Sequence, residues 1–467
     1  LTYSGLCFIL YCIVFVVIGI VSFEGYKVYK VVPKTKDEIQ ILEDLQRGAI
    51  VELWEDYFDV YQEVKMVVSP QKQEIFIEKL KQKDMEAIQV FEDLQKIIDD
   101  QLKPAKLSTR NDEDTTFYSL NWERYFNLEQ IYAWLDELES AYPNVVTTVT
   151  MGQSVEGRDI KGIKIDYKPG NNLYVGMFEG GIHAREWISP ATITWIIKEF
   201  LTSSDPDVRS LAENIQWHIF PVVNPDGYSY TFTDNRMWRK NRNTRNYTSC
   251  VDSGVSDDLS NGVDLNRNFD YVWRNVGASD NPCSNTFAGP SPASEPETRA
   301  ISEYVMQLKD QYEMIYYISF HSYSQLIIVP YSHLYVSDAG QPNNIADLLE
   351  IAIRGADALA EKFGTHYRVG VSEQVMYFMS GTSFDWVKNA TGVPVSLLFE
   401  LRDVGDYGFL LPTEEIVSNN LEIMDAIIEI DKTTKLLGYY ESGESTLNPF
   451  VALLLCAILT VLSLNRI

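Results

Sequence analysis

Between residues 127 and 430 the chain alternates continuous apolar runs with helical patterns, and this alternation limits the fold more than any other feature. Residues 145–150, 160–165, 173–178, 215–220, 314–319 and 395–398 are rich in β-branched, aromatic and other apolar side chains. Several of these runs lack polar alternation, which marks strands buried on both faces. A helix is predicted from Asn127, with Leu128, Ile131, Leu135 and Leu138 on one face and a stop at Tyr142-Pro143. Residues 190–201 and 345–363 carry the same period. Strands hidden on both faces need helices on both faces. The expected fold class is therefore α/β, a mixed, mostly parallel sheet sandwiched by helices. At 45% apolar residues the chain has the composition of a packed protein, and a formal charge of −27 argues against nucleic acid as a partner.

Residues 26–103 read as a separate module. Strand patterns at 26–32, 51–54, 63–68 and 85–91 interleave with helices after Thr35, around Phe76 and at 92–103. Thr35 and Glu38 have capping-box spacing, and Ile39, Leu42 and Leu45 follow at helical intervals; Ile75, Phe76 and Leu80 suggest the buried face of the second helix. The order βαββαβ with a trailing helix is a small split-βαβ, ferredoxin-like α+β domain. It has neither His nor Cys, so it suits packing against something better than chemistry. An aperiodic segment follows, holding Lys103, Lys106 and Arg110.

The ends indicate a compartment. Residues 6–21 form an uncharged apolar run that stops at Ser22, as a secretory signal does. Residues 450–464 are a second apolar run, preceded by Ser442, Gly443 and Ser445, the pattern of a glycolipid-anchor signal. A helix of that length rises about 22 Å, short of the ~30 Å hydrocarbon core. Cys7, Cys12 and Cys456 lie in these end segments, which leaves Cys250 and Cys283 in the body, a number that suits one disulfide in an oxidising compartment. The organisation expected is a signal peptide (1–22), the small domain (23–102), a cleavable linker (103–116), the large domain (117–437) and a spacer with a hydrophobic anchor signal (438–467).

The chemistry-bearing residues sit at strand ends. His183 and Glu186, three apart, follow the apolar run 173–178, and His321 ends the run 315–320. Open α/β sheets place ligands at such edges. Two imidazoles and a carboxylate with an open fourth position make a catalytic zinc site. His-x-x-Glu alone is a weak signal, but the sequence holds no His-Glu-x-x-His helix and no Gly-x-Ser-x-Gly elbow.

Five motifs occur in order: Gly181-Ile-His-Ala-Arg-Glu-Trp, Met237-Trp-Arg-Lys, Val263-Asp-Leu-Asn-Arg-Asn-Phe, Phe320-His-Ser-Tyr-Ser-Gln and Leu398-Phe-Glu-Leu-Arg-Asp. Over residues 117–429 the chain thereby resembles the zinc carboxypeptidases of the pancreatic A/B type, and the first domain resembles their inhibitory activation segment. The resemblance implies a zinc exopeptidase, made as a secreted zymogen and cut by a trypsin-like protease, that removes C-terminal residues from peptides and proteins. It implies one zinc on His183, Glu186 and His321, with Glu400 as general base and Arg239 stabilising the transition state. Asn266, Arg267 and Tyr377 would hold the substrate's free carboxylate, Arg185 would line outer subsites, and Asp264 would support the metal ligands. Cys250 and Cys283 match the family's disulfide pair. A monomer is expected, extracellular and held to the cell surface only by a C-terminal lipid. A catalytically silent peptide receptor on the same fold would lack a ligand or base, and none is missing.

Two departures from the family pattern stand out. About ten residues within 251–262 are inserted before the Asn-Arg motif. Counted from Tyr377, the position that selects the terminal side chain is Phe384, which offers neither a carboxylate nor a cation. Neutral hydrophobic termini are therefore expected, over basic or acidic ones. Met379 and Thr382 narrow the pocket, Ser332 and Ser372 add polarity, and Glu373 lies one residue from the lining.

Overall fold

The computed structural model describes residues 21–54, 58–103, 120–171, 173–244, 250 and 261–441. Expectations for the leader, the linker and the C-terminal apolar segment fall outside these residues. Among the described residues, no helix is long and apolar enough to cross a membrane.

The N-terminal domain holds strands β1 (Lys27–Val31), β2 (Glu52–Leu53), β3 (Val64–Val68) and β4 (Ala87–Phe91) in the order β2-β3-β1-β4, every pair antiparallel. The helix Lys36–Arg47 begins where expected, because Thr35 accepts a hydrogen bond from the Glu38 amide. Its Ile39, Leu42 and Leu45 pack with Phe76 and Leu80 of the helix Gln73–Lys81 on Tyr29, Val31, Val64, Met66 and Val68. Ile75 departs from expectation and is 40% exposed, since its turn position carries it off the face shared by Phe76 and Leu80. The trailing helix spans Leu94–Leu102 and not 92–103, because Asp93 turns its side chain back to the Gln95 amide and caps it. The opposite sheet face, with Val28, Trp54, Val67 and Phe91, joins Met237, Tyr323, Phe409 and Leu410 of the large domain in one apolar cluster.

The large domain is built on eight further strands: β5 (Val146–Gln153), β6 (Asp159–Ile165), β7 (Tyr174–Gly180), β8 (Gln216–Phe220), β9 (Glu313–Ser322), β10 (Leu326–Val329), β11 (Arg368–Val371) and β12 (Val395–Leu401). Their order is β11-β10-β12-β9-β7-β8-β6-β5. The centre, β12-β9-β7-β8, is parallel, as is β10-β11; the remaining pairs are antiparallel. β10 and β11 escape a sequence reading because they are short, and Arg368-Val-Gly-Val has too little apolar content to stand out. One sheet face is covered by Leu128–Ala141, Ile188–Thr202, Pro206–Asn214, Ile345–Phe363 and Ile416–Leu436. The other carries Pro296–Gln311 and Ser383–Thr391. Asn127 closes a full capping box with Gln130 at the start of the first of these helices.

Leu42 is fully buried in a core made by the N-terminal domain alone. Leu42→Ala should destabilise that domain by about 2–5 kcal/mol. Amide exchange of β3 should then accelerate while that of β7 and β9 stays unchanged.

Candidate active site

The C-terminal ends of the central parallel strands converge on one edge. His183 and Glu186 lie in the turn between β7 and the helix Ile188–Thr202. His321 is the penultimate residue of β9 and pairs in register with Glu400 of the parallel neighbour β12, so the two side chains leave the same sheet face. Ser189 ties the turn to β9: its hydroxyl donates to the Phe320 carbonyl at 2.6 Å and accepts from the Gly181 amide at 3.1 Å.

His183, Glu186 and His321 are buried, with one ligand atom of each within 4.8 Å of the others. The Nδ1 atoms of the two imidazoles are 3.1 Å apart, with Glu186 oxygens at 2.8 Å from His183 and 3.1 Å from His321. On the far side of the ring, His183 Nε2 lies 3.0 Å from Asp264 Oδ1. An imidazole that donates from Nε2 to a carboxylate presents the Nδ1 lone pair forward, the arrangement that supports a metal ligand. Burial would push the Asp264 carboxyl up, but Arg239 and His183 hold it well below the usual carboxylate range. The Arg239 guanidinium meets Asp264 Oδ2 through Nη2 at 2.9 Å and stands 3.8 Å from Glu186 Oε1. Two buried carboxylates beside this guanidinium leave room for a divalent cation's charge, and two nitrogens with a carboxylate are a donor set zinc accepts.

A cavity of about 390 Å³ opens over this cluster. Glu400, Arg239, Asn266, Arg267 and Tyr377 line it together with His183 and Glu186. Arg267, almost fully buried, donates from Nη2 to the Tyr377 hydroxyl at 3.0 Å, from Nε to the Gly277 carbonyl at 2.7 Å and from Nη1 to the Asn266 carbonyl at 3.0 Å. Met379, Met376, Val375, Leu326 and Leu398 form an apolar stretch of wall. Phe384 is fully buried and lies outside the cavity lining, as do Ser332, Ser372 and Glu373. Behind that wall Asp385 accepts from the Ser332 amide at 2.9 Å, and burial pushes its carboxyl up to about 7.

The N-terminal domain, expected to act as an inhibitory segment, supplies the cavity's outer wall through Trp54, Gln62, Glu63 and Lys65, side chains that the sequence did not single out. Arg185 is not open to the cleft: it is fully buried, stacks on Phe409 at 4.0 Å and donates to the Trp54 carbonyl at 3.2 Å. Lys65 Nζ sits 5.5 Å from the Tyr323 ring centre. Farther along, Gln101 accepts from Arg236 Nε at 2.8 Å and donates to the Leu411 carbonyl at 3.0 Å. A signal was available for part of this: Trp54, in a domain with no chemistry of its own, had to be buried against something. Cys250 and Cys283 form a disulfide with a Cα–Cα distance of 5.7 Å.

Comparison with known proteins agrees with this geometry. A family model for zinc carboxypeptidases matches residues 131–426, and one for carboxypeptidase activation peptides matches residues 29–101. The chain is 36% identical to zinc carboxypeptidase A 1 of Anopheles gambiae over 432 residues, which covers 90% of this chain and 92% of that protein. It is 40% identical to carboxypeptidase O of Bos taurus over 315 residues, covering 67% and 79%. Among solved structures, thrombin activatable fibrinolysis inhibitor superposes with a TM-score of 0.78 at 30% identity, covering 88% of this chain and all of that one. Carboxypeptidase A of Helicoverpa armigera gives 0.75 at 28% identity, covering 90% and 99%. The chain belongs to the zinc carboxypeptidase family and carries that family's activation peptide as its N-terminal domain.

The loops behind the site rest on a buried polar network. Asn241 donates to Glu295 Oε2 at 2.9 Å and Glu297 Oε2 at 3.1 Å, and accepts from the Val263 amide at 2.8 Å beside Asp264. Burial, with Glu295 nearby, pushes the Glu297 carboxyl up to about 7. A carboxyl raised on folding contributes stability that is complete below its unfolded value of about 4.5 and is lost as pH rises through 7. Glu297→Gln should remove that slope. Relative to wild type, the variant should gain on the order of 3 kcal/mol between pH 4.5 and 8, read from chemical unfolding at both values.

Proposed function

We propose that this chain hydrolyses the C-terminal peptide bond of peptides and proteins, with His183, Glu186 and His321 as zinc ligands. The observation that carries the reading is Arg267. Among the described residues its hydrogen bonds go to two carbonyls and a hydroxyl and to no carboxylate, so a buried, fixed guanidinium faces the cavity beside Tyr377. A planar guanidinium suits a terminal carboxylate bidentately, and Asn266 and Tyr377 add polar groups beside it. That fixes the substrate end, and the bond one residue inward then lies toward Glu400 and Arg239.

Zinc, when bound, supplies a Lewis acid for the scissile carbonyl and eases ionisation of a water. Glu400 takes the proton of the attacking water and passes it to the leaving amine. Arg239, held by Asp264, offers N–H donors to the oxyanion, and loss of such a donor costs roughly 3–4 kcal/mol. The apolar wall at Met379 and Leu398 favours neutral hydrophobic terminal residues, because a charged side chain there would lose its water without gaining a partner. Arg368, also in the lining, is the residue through which an acidic preference would act.

The activation domain covers Arg185 and the outer cleft, which supports a proenzyme opened by cleavage in the linker, with Arg110 as the proposed cut and Lys106 the alternative. The Cys250–Cys283 disulfide supports passage through an oxidising, secretory compartment.

Glu400→Gln should lower kcat by about 10²–10⁴-fold while peptide binding persists. A variant that keeps more than about a tenth of wild-type kcat would remove Glu400 from the role of base. Acyl-dipeptides differing only in the last residue, assayed before and after trypsin, should show activity only after the cut and the highest kcat/KM for Leu, Met or Phe. A higher value for Asp, Glu, Lys or Arg would overturn the specificity reading.

A further inference from the structure

Asn224 lies between β8 and the helix Pro225–Thr233, fully buried, and its side chain does two separate things. Its Oδ1 accepts from the Gly227 amide at 3.0 Å and so caps the helix. Its Nδ2 donates to the Ile182 carbonyl and to the Lys240 carbonyl, each at 3.1 Å. Ile182 immediately precedes His183, and Lys240 immediately follows Arg239. The two loops also meet directly, through the Ala184 amide on the Arg239 carbonyl at 3.0 Å. The amide is tightly held: a Cβ at Gly227 would stand 2.6 Å from both Asn224 Nδ2 and the Lys240 oxygen.

Capping requires only an oxygen, which Asp or Ser supplies as well as Asn. The NH2 half is needed only to join the two loops. Cap and bridge share one rigid amide, so the helix N-terminus fixes where the bridge points. We infer that Asn224 is a positioning residue that sets the spacing between the His183 loop and the Arg239 loop. The inference rests on the roles given above to those two residues. An error of about 1 Å in such spacing costs on the order of 10²-fold in rate, and loss of groups supporting metal ligands costs about 10–100-fold in affinity or activity.

Asn224→Asp is the test, since it keeps the capping oxygen and removes both N–H donors. Zinc release to a chelator is followed on the intact chain, and kinetics are measured after tryptic cleavage. The expected result is zinc release about tenfold faster and kcat about tenfold lower, with KM within twofold. In an Arg239→Ala background the same substitution should cost clearly less in kcat than it does in the parent, because one of the two groups it positions is gone. Asn224→Ser, which also caps but cannot reach both carbonyls, should repeat the kcat loss at unchanged KM and guards against a folding defect peculiar to Asp. The inference is overturned if zinc release is unchanged, if KM rises with kcat intact, or if the kcat loss is undiminished in the Arg239→Ala background. Should the parent protein show no peptidase activity, the functional reading fails, and zinc release alone decides whether Asn224 sets the ligand loop.

Discussion

The register between β9 and β12 is the constraint on which the site depends. Parallel pairing sets His321 opposite Glu400, and β7 on the other side of β9 delivers the turn that carries His183 and Glu186. Strand side chains alternate between faces, so a one-residue slip of β12 would send Glu400 to the opposite face and remove it from the cavity. What holds the register is apolar packing on both sheet faces. Phe178 of β7 packs on Trp217 at 4.4 Å and on Phe320 at 5.7 Å, next to the ligand His321. The catalytic edge is in this sense a product of the core. Buried hydroxyls and amides such as Ser189 and Asn241 then fasten the loops that leave it.

Much of this was legible in the sequence, and physical reasons separate what was from what was not. Continuous apolar runs announced the central strands, and capping residues Thr35 and Asn127 announced their helices. His183, Glu186 and His321 could be read because His321 ends such a run and the other two lie in the turn that follows one. Asp264, Arg239 and Arg267 were singled out only through whole motifs, and Tyr377 only through the family resemblance, since a single Arg or Tyr carries no signal of what it faces. Phe384 is reached only by counting from Tyr377, and the structure buries it in the core with Val387 and with the cavity-lining Met379 and Leu398. Arg185 shows a limit of such reading, because its cover of Trp54 and Phe409 comes from chain segments more than a hundred residues away on either side.

The contact between the two domains mixes both kinds of force. Trp54, Phe91 and Phe409 give it an apolar centre, while Arg185 on the Trp54 carbonyl and Gln101 on Arg236 give it direction. Gln101 sits within a few residues of the linker yet holds Arg236, whose other nitrogens bind the carbonyls of Arg185 and Phe409. The described residues nearest the proposed cut are thus hydrogen-bonded, through Arg236, to the loop that carries Arg185.

None of these contacts is covalent, and a break in the linker removes none of them. Before the cut the activation domain rebinds at an effective concentration that a short tether keeps near the millimolar range. Afterwards it is a separate molecule, and its hold on the cleft becomes an ordinary equilibrium between two species. Given the proposed cut, dilution, and not the proteolytic event alone, would govern how much enzyme is open.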